Sequence, residues 1–485
     1  MHQKKTNVAV VTATIFIATF MAAIEGTIVS TAMPTIVGAL HGVKVMNWVF
    51  TMYLLTSAMA TPIYGKMADR IGRKPVMLVS LAVFVVGSLC SGLSQSMPVL
   101  IVSRALQGIG AGGIMPVTFT MIADIYPIEK RARVLGLNGS AWGIAAVVAP
   151  LIGGFIVDKL SWHWVFILNV PIGLVTMLLT YIFFQEHHVA TKKPVDIMGT
   201  VWLALTLLFM LTGFQMLDGA NGIIYALILV ALAIIALFLF IRQEKRADDP
   251  VISLDLFKSR TFTIQNVLAA LVSGIVMGHE VYMPMWMQGI LGLDASMGGF
   301  AVTPSSLMWV LGSFVAGRMI VKMRPQRVLM VALGIITIGI FILASVPAAT
   351  PFAFFLLFSA ILGSGFGIAI TTTTVSSQAA VGQDKIGVAT SFNTLSRTLG
   401  QTVMVAIFGL IFNVQVAAGT TGKAGLSTSM MNKLINPHTV HELPQQAVPA
   451  LRHVLFNSLH GVYLACAVVV ILGIVLNLLD RKPKN

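Results

Sequence analysis

The sequence predicts an all-α polytopic membrane protein. Apolar stretches of about 20 residues, the length a helix needs to cross a hydrocarbon core, recur along the chain. Of its 485 residues 57% are hydrophobic and only 10% charged, whereas soluble domains are roughly 45–50% apolar and about 25% charged. The charges gather in short clusters between the apolar stretches.

Fourteen spans are expected, at 9–33, 46–66, 76–95, 98–122, 135–157, 165–184, 197–217, 222–241, 262–287, 297–321, 327–347, 351–375, 388–413 and 456–479. An even number puts both termini on one side, and the loops choose which. Loops and tails on the side of the termini hold 23 of the 31 Lys and Arg; the other side holds 5, and Arg104, Arg318 and Arg397 fall inside spans. Basic loops stay in the cytoplasm, so both termini are expected there. The net charge of +14 then reports topology and not nucleic-acid binding. Lys4 and Lys5 precede an apolar run that is too long for a signal peptide and contains Glu25, so it reads as the first span. Cys90 and Cys466 lie in apolar stretches and read as small buried hydrophobes. Residues 415–457, holding Gly, Ser, Thr and Pro, read as an external loop or flap with a weakly amphipathic piece near 448–459.

An internal repeat organises the spans. Gly65, Lys66, Met67 and Arg70 recur 252 residues later as Gly317, Arg318, Met319 and Lys322. The same offset lays span one on span nine. The expected division is an N-terminal six-helix bundle at 1–190, two inserted helices with a cytoplasmic linker at 191–260, and a C-terminal six-helix bundle at 261–485. Tandem halves are a common plan of secondary transporters.

Ionisable residues inside spans are costly and mark function. Glu25 lies well inside span one, where a carboxylate must face the bundle interior, be protonated part of the time, or both. It can cycle a proton and attract a cation. Glu280, after His279 in span nine, maps by the repeat to position 28, one helical turn from Glu25. The pair would flank one cavity, with His279 as a proton relay or a polar wall residue. Arg104 in span four needs a carboxylate or carbonyl partner. Met283, Met285, Trp286 and Met287 crowd beside Glu280, where thioethers and an indole suit varied apolar cations as a pocket lining or serve as core.

Two motifs concern helix ends and packing. Gly65 to Lys74 reads as a charged turn between spans two and three, with Gly65 and Gly72 permitting sharp turns. Asp69, Arg70 and Arg73 there can latch the cytoplasmic side through helix-end contacts. In span five Pro150 bends the helix, and Gly153 and Gly154 allow close packing, a hinge or a seal between halves.

These residues resemble the major facilitator superfamily, and within it the fourteen-span drug:proton antiporters that include bacterial multidrug and quaternary-ammonium exporters. The stretch Glu25-Gly26-Thr27-Ile28-Val29-Ser30-Thr31-Ala32-Met33-Pro34 resembles that branch's D-x-T-I-V-N-x-A-L-P, with Glu25 for aspartate and Ser30 for asparagine. The hairpin pattern G-x-x-x-D-R-x-G-R-K/R is kept at Gly65, Asp69, Arg70, Gly72, Arg73 and Lys74, and the span-four motif at Arg104, Gln107, Gly108 and Gly110. Ala149-Pro150-Leu151-Ile152-Gly153-Gly154 resembles the antiporter ending G-P-x-x-G-G. Trp162-His163-Trp164-Val165-Phe166-Ile167-Leu168-Asn169-Val170-Pro171-Ile172-Gly173 resembles W-R-W-x-F-x-I-N-x-P-I-G, with His163 for arginine.

The resemblance implies a major facilitator fold and proton-coupled efflux of amphipathic, often cationic compounds by alternating access. Glu25 would couple the proton and Arg104 would be its electrostatic partner. It implies antibiotic resistance as a role, a bacterial cell membrane as location, action as a monomer, and small molecules, protons and lipid as partners. No cofactor is expected, since a proton gradient would drive the cycle. No phosphate-binding Gly-x-x-x-x-Gly-Lys-Ser/Thr loop, metal-ligand cluster or nucleophile constellation points to an ATPase or another enzyme. A transporter of a lipid, siderophore or metabolite is the alternative. A non-transporting sensor would need a soluble domain, and the spans leave no long segment for one.

Overall fold

The structure, a computed structural model, describes residues 6–186, 196–216, 222–247, 250, 252, 254–382, 386–420, 426–437 and 439–480; within these, some side chains, Lys66 and Asp69 among them, lie outside the description. Apart from the turns and short connections between helices, the described residues are helical, with no strand among them. In order the helices are α1 (Val8–Leu40), α2 (Met46–Ile71), α3 (Arg73–Gly92), α4 (Met97–Ile125), α5 (Ile128–Lys159), α6 (Trp164–Ile167), α7 (Asn169–Phe183), α8 (Ile197–Met216), α9 (Gly222–Glu244) and α10 (Arg260–Met285). Then come α11 (Ala295–Lys322), α12 (Pro325–Leu343), α13 (Phe352–Ala379), α14 (Ile386–Thr420), α15 (Thr428–Ile435) and α16 (Val448–Leu479). A single π turn, Trp286–Ile290, extends α10.

Among the described residues, twelve stretches are long and apolar enough to cross a membrane. Two of the fourteen expected spans fall short by length and composition. Helix α2 holds Asn47, Thr51, Thr56, Ser57 and Thr61 and a charged end, and α8 has an apolar stretch of only Ile197–Gly213. Both still pack within the molecule, α2 against α4 and α14, and α8 against α9.

Helices α1 to α5 and α7 pack mainly on one another, as do α10 to α14 and α16. Helix α8 also touches α2 and α14, where Leu55, Leu203, Leu207, Leu211 and Phe240 are buried with Phe392, Leu395, Leu399 and Val403 packed around them. The described termini lie at one end of the bundle, here the terminal end; the opposite is the distal end. Across the two groups α5 meets α11, α2 meets α14, and α1 meets α10.

The hydrogen bonds between the groups, among the described residues, lie in the distal half. Val43 N–H donates to Asn432 Oδ1 (2.9 Å), Asn413 Nδ2 to the Lys44 carbonyl (2.7 Å), Tyr282 O–H to Asn47 Oδ1 (3.1 Å) and Gln288 Nε2 to the Thr31 carbonyl (3.2 Å). Asp158 near the end of α5 accepts from Ala295 N–H (3.1 Å) and Ser296 N–H (3.0 Å), capping α11 with a carboxylate from the other group.

Several sequence readings change here. The expected turn from Gly65 to Lys74 is only Gly72: α2 continues to Ile71 and α3 begins at Arg73. Gly72 has φ +105, a conformation side chains resist, whereas Gly65 is helical and a Cβ there would meet only Pro116 at 3.9 Å. Cys90 is exposed on α3, beside the exposed Leu89 and Val86, because that face meets no other helix; Cys466 is buried as expected. The segment 415–457 contains the ordered α15 on the distal face of α1, and its amphipathic piece is the first part of α16. Span six is split at Leu168 into α6 and α7, because Pro171 cannot donate the backbone bond to Ile167 that a continuous helix would use.

Candidate functional site

The split of span six places Asn169 at the first position of α7, facing α1. There it donates from Nδ2 to Glu25 Oε2 at 2.5 Å. Arg104 of α4 donates from Nη1 to Glu25 Oε1, and from the same nitrogen to Gln107 Oε1 at 2.6 Å. Its Nε donates to the Val49 carbonyl at 3.3 Å, and Gln107 passes the chain on to Ser88 Oγ at 2.6 Å. The guanidinium lies 4.1 Å from the Tyr53 ring centroid and 5.7 Å from that of Phe166. Glu25 is fully buried and Arg104 is 1% exposed. A carboxylate and a guanidinium this deep are stable only as a hydrogen-bonded pair, and each oxygen of Glu25 has a donor.

Glu280 takes part in none of these contacts. It is the one residue from 272 to 290 that keeps partial exposure, and no described hydrogen bond or ion pair holds it. Helix α10 lies between α13, α14, α16 and α1, so the space Glu280 faces is interior. His279 turns elsewhere: its Nε2 is 3.2 Å from Ser359 Oγ on α13, its ring neighbours Phe366, and its Nδ1 is buried without a partner.

Met283, Met285, Trp286 and Met287 are all fully buried. Trp286 packs among Phe355, Phe456, His460 and Tyr463, at centroid separations of 5.2 to 6.1 Å. In this conformation they are closed core near the distal end and not a cavity wall, because α16 and α13 cover them.

In the hairpin, Arg73 Nε lies 3.2 Å from Asp124 Oδ2 at the end of α4. Glu186, following α7, accepts from the backbone N–H of Arg73 (2.6 Å) and Lys74 (2.9 Å), so the start of α3 is held by an acid from the same helix group. Arg70 is exposed at the end of α2, and the Asp69 side chain lies outside the described residues. In span five, a Cβ on Gly153 would press on Ile28 of α1 at 2.8 Å, and Gly154 lies against the Ser296 backbone of α11. Pro150 sits inside α5 with its carbonyl against Gly299 of α11. Gly154 and Gly299 let the two helix groups meet at backbone distance, while Gly153 lets α5 lie close on α1 within one group.

The family resemblance paired Glu25 with Arg104, and neither Asn169 nor Asp158 had a role in the reading of the sequence. The signal for Asn169 was an amide within an apolar run two residues before a proline. For Asp158 it was a lone acid at the distal end of a span.

Comparisons with known proteins agree with this architecture. The family model of the Major Facilitator Superfamily matches residues 15–405. The Multidrug transporter protein MdtP of Bacillus subtilis (strain 168) is 32% identical, over 97% of this chain and 92% of its own. Multidrug resistance protein 3 of the same organism is 30% identical, over 96% and 93%. The Multidrug efflux pump SdrM of Staphylococcus aureus (strain N315) is 28% identical, over 82% and 88%. A solved bacterial homologue of the human lysosomal transporter Spinster, inward-facing and unoccupied, superposes with a TM-score of 0.68 at 14% identity, covering 98% of this chain and 99% of its own, a likeness of fold alone. With its apolar helices, its two helix groups and a family match over most of its length, this chain is a multi-span membrane transporter of the Major Facilitator Superfamily.

Proposed function

We propose that this chain is a proton-coupled multidrug efflux antiporter with fourteen spans, exporting amphipathic, often cationic compounds by alternating access. The observation that carries the reading is the buried Glu25–Arg104 pair, completed by Asn169, in the interior of the N-terminal helix group. Relatives at about 30% identity bear multidrug transporter names, which supports the substrate class.

In this reading the units are 1–190, 191–260 and 261–485, both termini are cytoplasmic, and the protein works as a monomer in the cell membrane. The distal end then faces outside, and the conformation, joined by hydrogen bonds there, is open to the cytoplasm. A proton arriving at Glu25 from outside neutralises the carboxylate and breaks its pair with Arg104. Release of that proton inside remakes the neutral pair and removes the uncompensated positive charge of Arg104, which would otherwise repel the next cation. Glu280 recognises positive charge on the drug. Exchange through one rocking cavity needs neither ATP nor a cofactor.

The test is dye transport into inside-out vesicles under an imposed pH gradient. Wild type should take up a cationic dye only while the gradient stands, and Glu25→Gln should reach the membrane without transporting. Gradient-independent uptake by wild type would refute proton coupling.

A further inference from the structure

We infer that Arg397 forms an anion-binding subsite in the central cavity, so that the cavity takes amphoteric molecules, with an acid at one end and an amine at the other, as well as plain cations. This deepens the efflux reading and rests on it.

Arg397 lies inside α14, and its situation is the reverse of that of Arg104. It is half-buried, its Nε is buried without a partner, and among the described residues no hydrogen bond, ion pair or ring contact engages its guanidinium. An unneutralised guanidinium at membrane depth faces a water-filled space or a ligand. The neighbouring side chains say which surface this is. Helix α14 packs on α10 through Asn393 Nδ2 to Asn266 Oδ1 (3.0 Å), Gly400 on Ala270 and Met404 on Gly274. Leu395, Leu399 and Val403 join the cluster with α2 and α8. Arg397 borders Thr394, Thr398 and Gln401, all at least partly exposed. A face of arginine, two threonines and a glutamine is a cavity wall and not a lipid surface.

Glu280 opens onto the interior from α10, and it too is unpaired. Two opposite charges lining one interior would neutralise each other if they could reach, and the helix register shows why they do not. Helices α10 and α14 run parallel with Gly278 level with Phe408, so Glu280 is about thirteen residues above Arg397, roughly 20 Å at the helical rise. Extended side chains close about half of that. The remaining gap, on the order of 10 Å, suits a fused-ring molecule with its acid and its amine at opposite ends. Between them, seven residues from both Asn266 and Glu280 and on the same face of α10, Ser273 has a buried hydroxyl with no partner.

The experiment measures fluorescence anisotropy of two dyes with the purified full chain in lipid nanodiscs. Rhodamine 110 has a free carboxylate and a cationic ring system; rhodamine 123 is its methyl ester and only a cation. Arg397→Gln should weaken rhodamine 110 by about tenfold or more, the loss expected for a charge-assisted hydrogen bond, and leave rhodamine 123 within about twofold. Arg397→Lys should keep most of the rhodamine 110 affinity. On wild type, sodium benzoate should displace rhodamine 110 and not rhodamine 123, which tests the subsite even if Arg397→Gln does not fold. Equal loss of both dyes in Arg397→Gln, no loss of either, or no selective displacement by benzoate would overturn the subsite and leave efflux of cations standing. A wild type that binds neither dye would overturn both readings.

Discussion

Replacing Glu25 by glutamine keeps the side-chain shape and removes the charge that Arg104 and Asn169 hold. Arg104 is 1% exposed, so water cannot stand in for the lost carboxylate. Orphaning one partner of a buried pair costs about 3–5 kcal/mol. Arg104 keeps Gln107 and the Val49 carbonyl, and the introduced amide retains one acceptor, so the lower end, about 3 kcal/mol, is expected. That is more than a hundredfold in the balance between the packed and disrupted site. Removing both charges, in Glu25→Gln with Arg104→Met, should recover roughly 2 kcal/mol of the loss, which a double-mutant cycle reads as coupling. The assays are the thermal midpoint of each purified variant and pH-driven dye uptake in inside-out vesicles. The midpoint should fall in the single variant and rise in the double, while uptake is absent from both. Additive losses of stability would show that the pair is not energetically coupled. Undiminished pH-driven uptake in the double variant would refute carboxylate coupling.

Three further outcomes are expected. Glu280→Gln should impair transport of dicationic dyes at least tenfold more than that of neutral ones, compared by initial uptake rates; equal effects would remove it from charge recognition. Asp158→Ala strips the cap from two backbone N–H groups of α11 and should weaken distal closure by about 1–2 kcal/mol. Spin-label distances across the distal end should report a larger separated population in that variant, and an unchanged distribution would mean that the cap does not hold the closure. In the distal segment, the Lys433 ammonium, 2.7 Å from Glu442 Oε2, holds that carboxyl below the usual carboxylate range. The favourable pairing is therefore complete at neutral pH and lost as pH falls through the lowered pKa. Glu442 resonances in wild type and Lys433→Ala should titrate at different pH, with the variant higher.

Much of this architecture was legible because a bilayer imposes one rule, apolar stretches of sufficient length, and the chain repeats it. The residues alone said only that Arg104, inside a span, needs a carboxylate or carbonyl partner; the family resemblance is what named Glu25 as that partner. What stayed hidden depends on three-dimensional register. Nothing in the order of residues says that the break before Pro171 aims Asn169 at Glu25, or that α13 and α16 seal Trp286 into core. The single-residue turn at Gly72 was blurred by the surrounding charges, which marked a loop although α2 carries Lys66, Asp69 and Arg70 and α3 carries Arg73 and Lys74. Helix α2 shows the reverse difficulty, since its interior position lets it hold hydroxyls and an amide that make it too polar to count as a span by composition.

The distal joint has a thermodynamic consequence. Six described hydrogen bonds cross it, and several use backbone groups at helix ends, among them the two that Asp158 receives from α11. Groups at such ends meet water as soon as the helices part, so separation exchanges a protein partner for a solvent one instead of abandoning a buried dipole. Each bond is then worth only about 1 kcal/mol net. A handful of them is comparable with the roughly 2.3 kcal/mol that one elementary charge gains across 100 mV, multiplied by two or three. In the proposed alternating-access cycle, a joint of this strength is one that ion gradients of ordinary size would suffice to undo and remake.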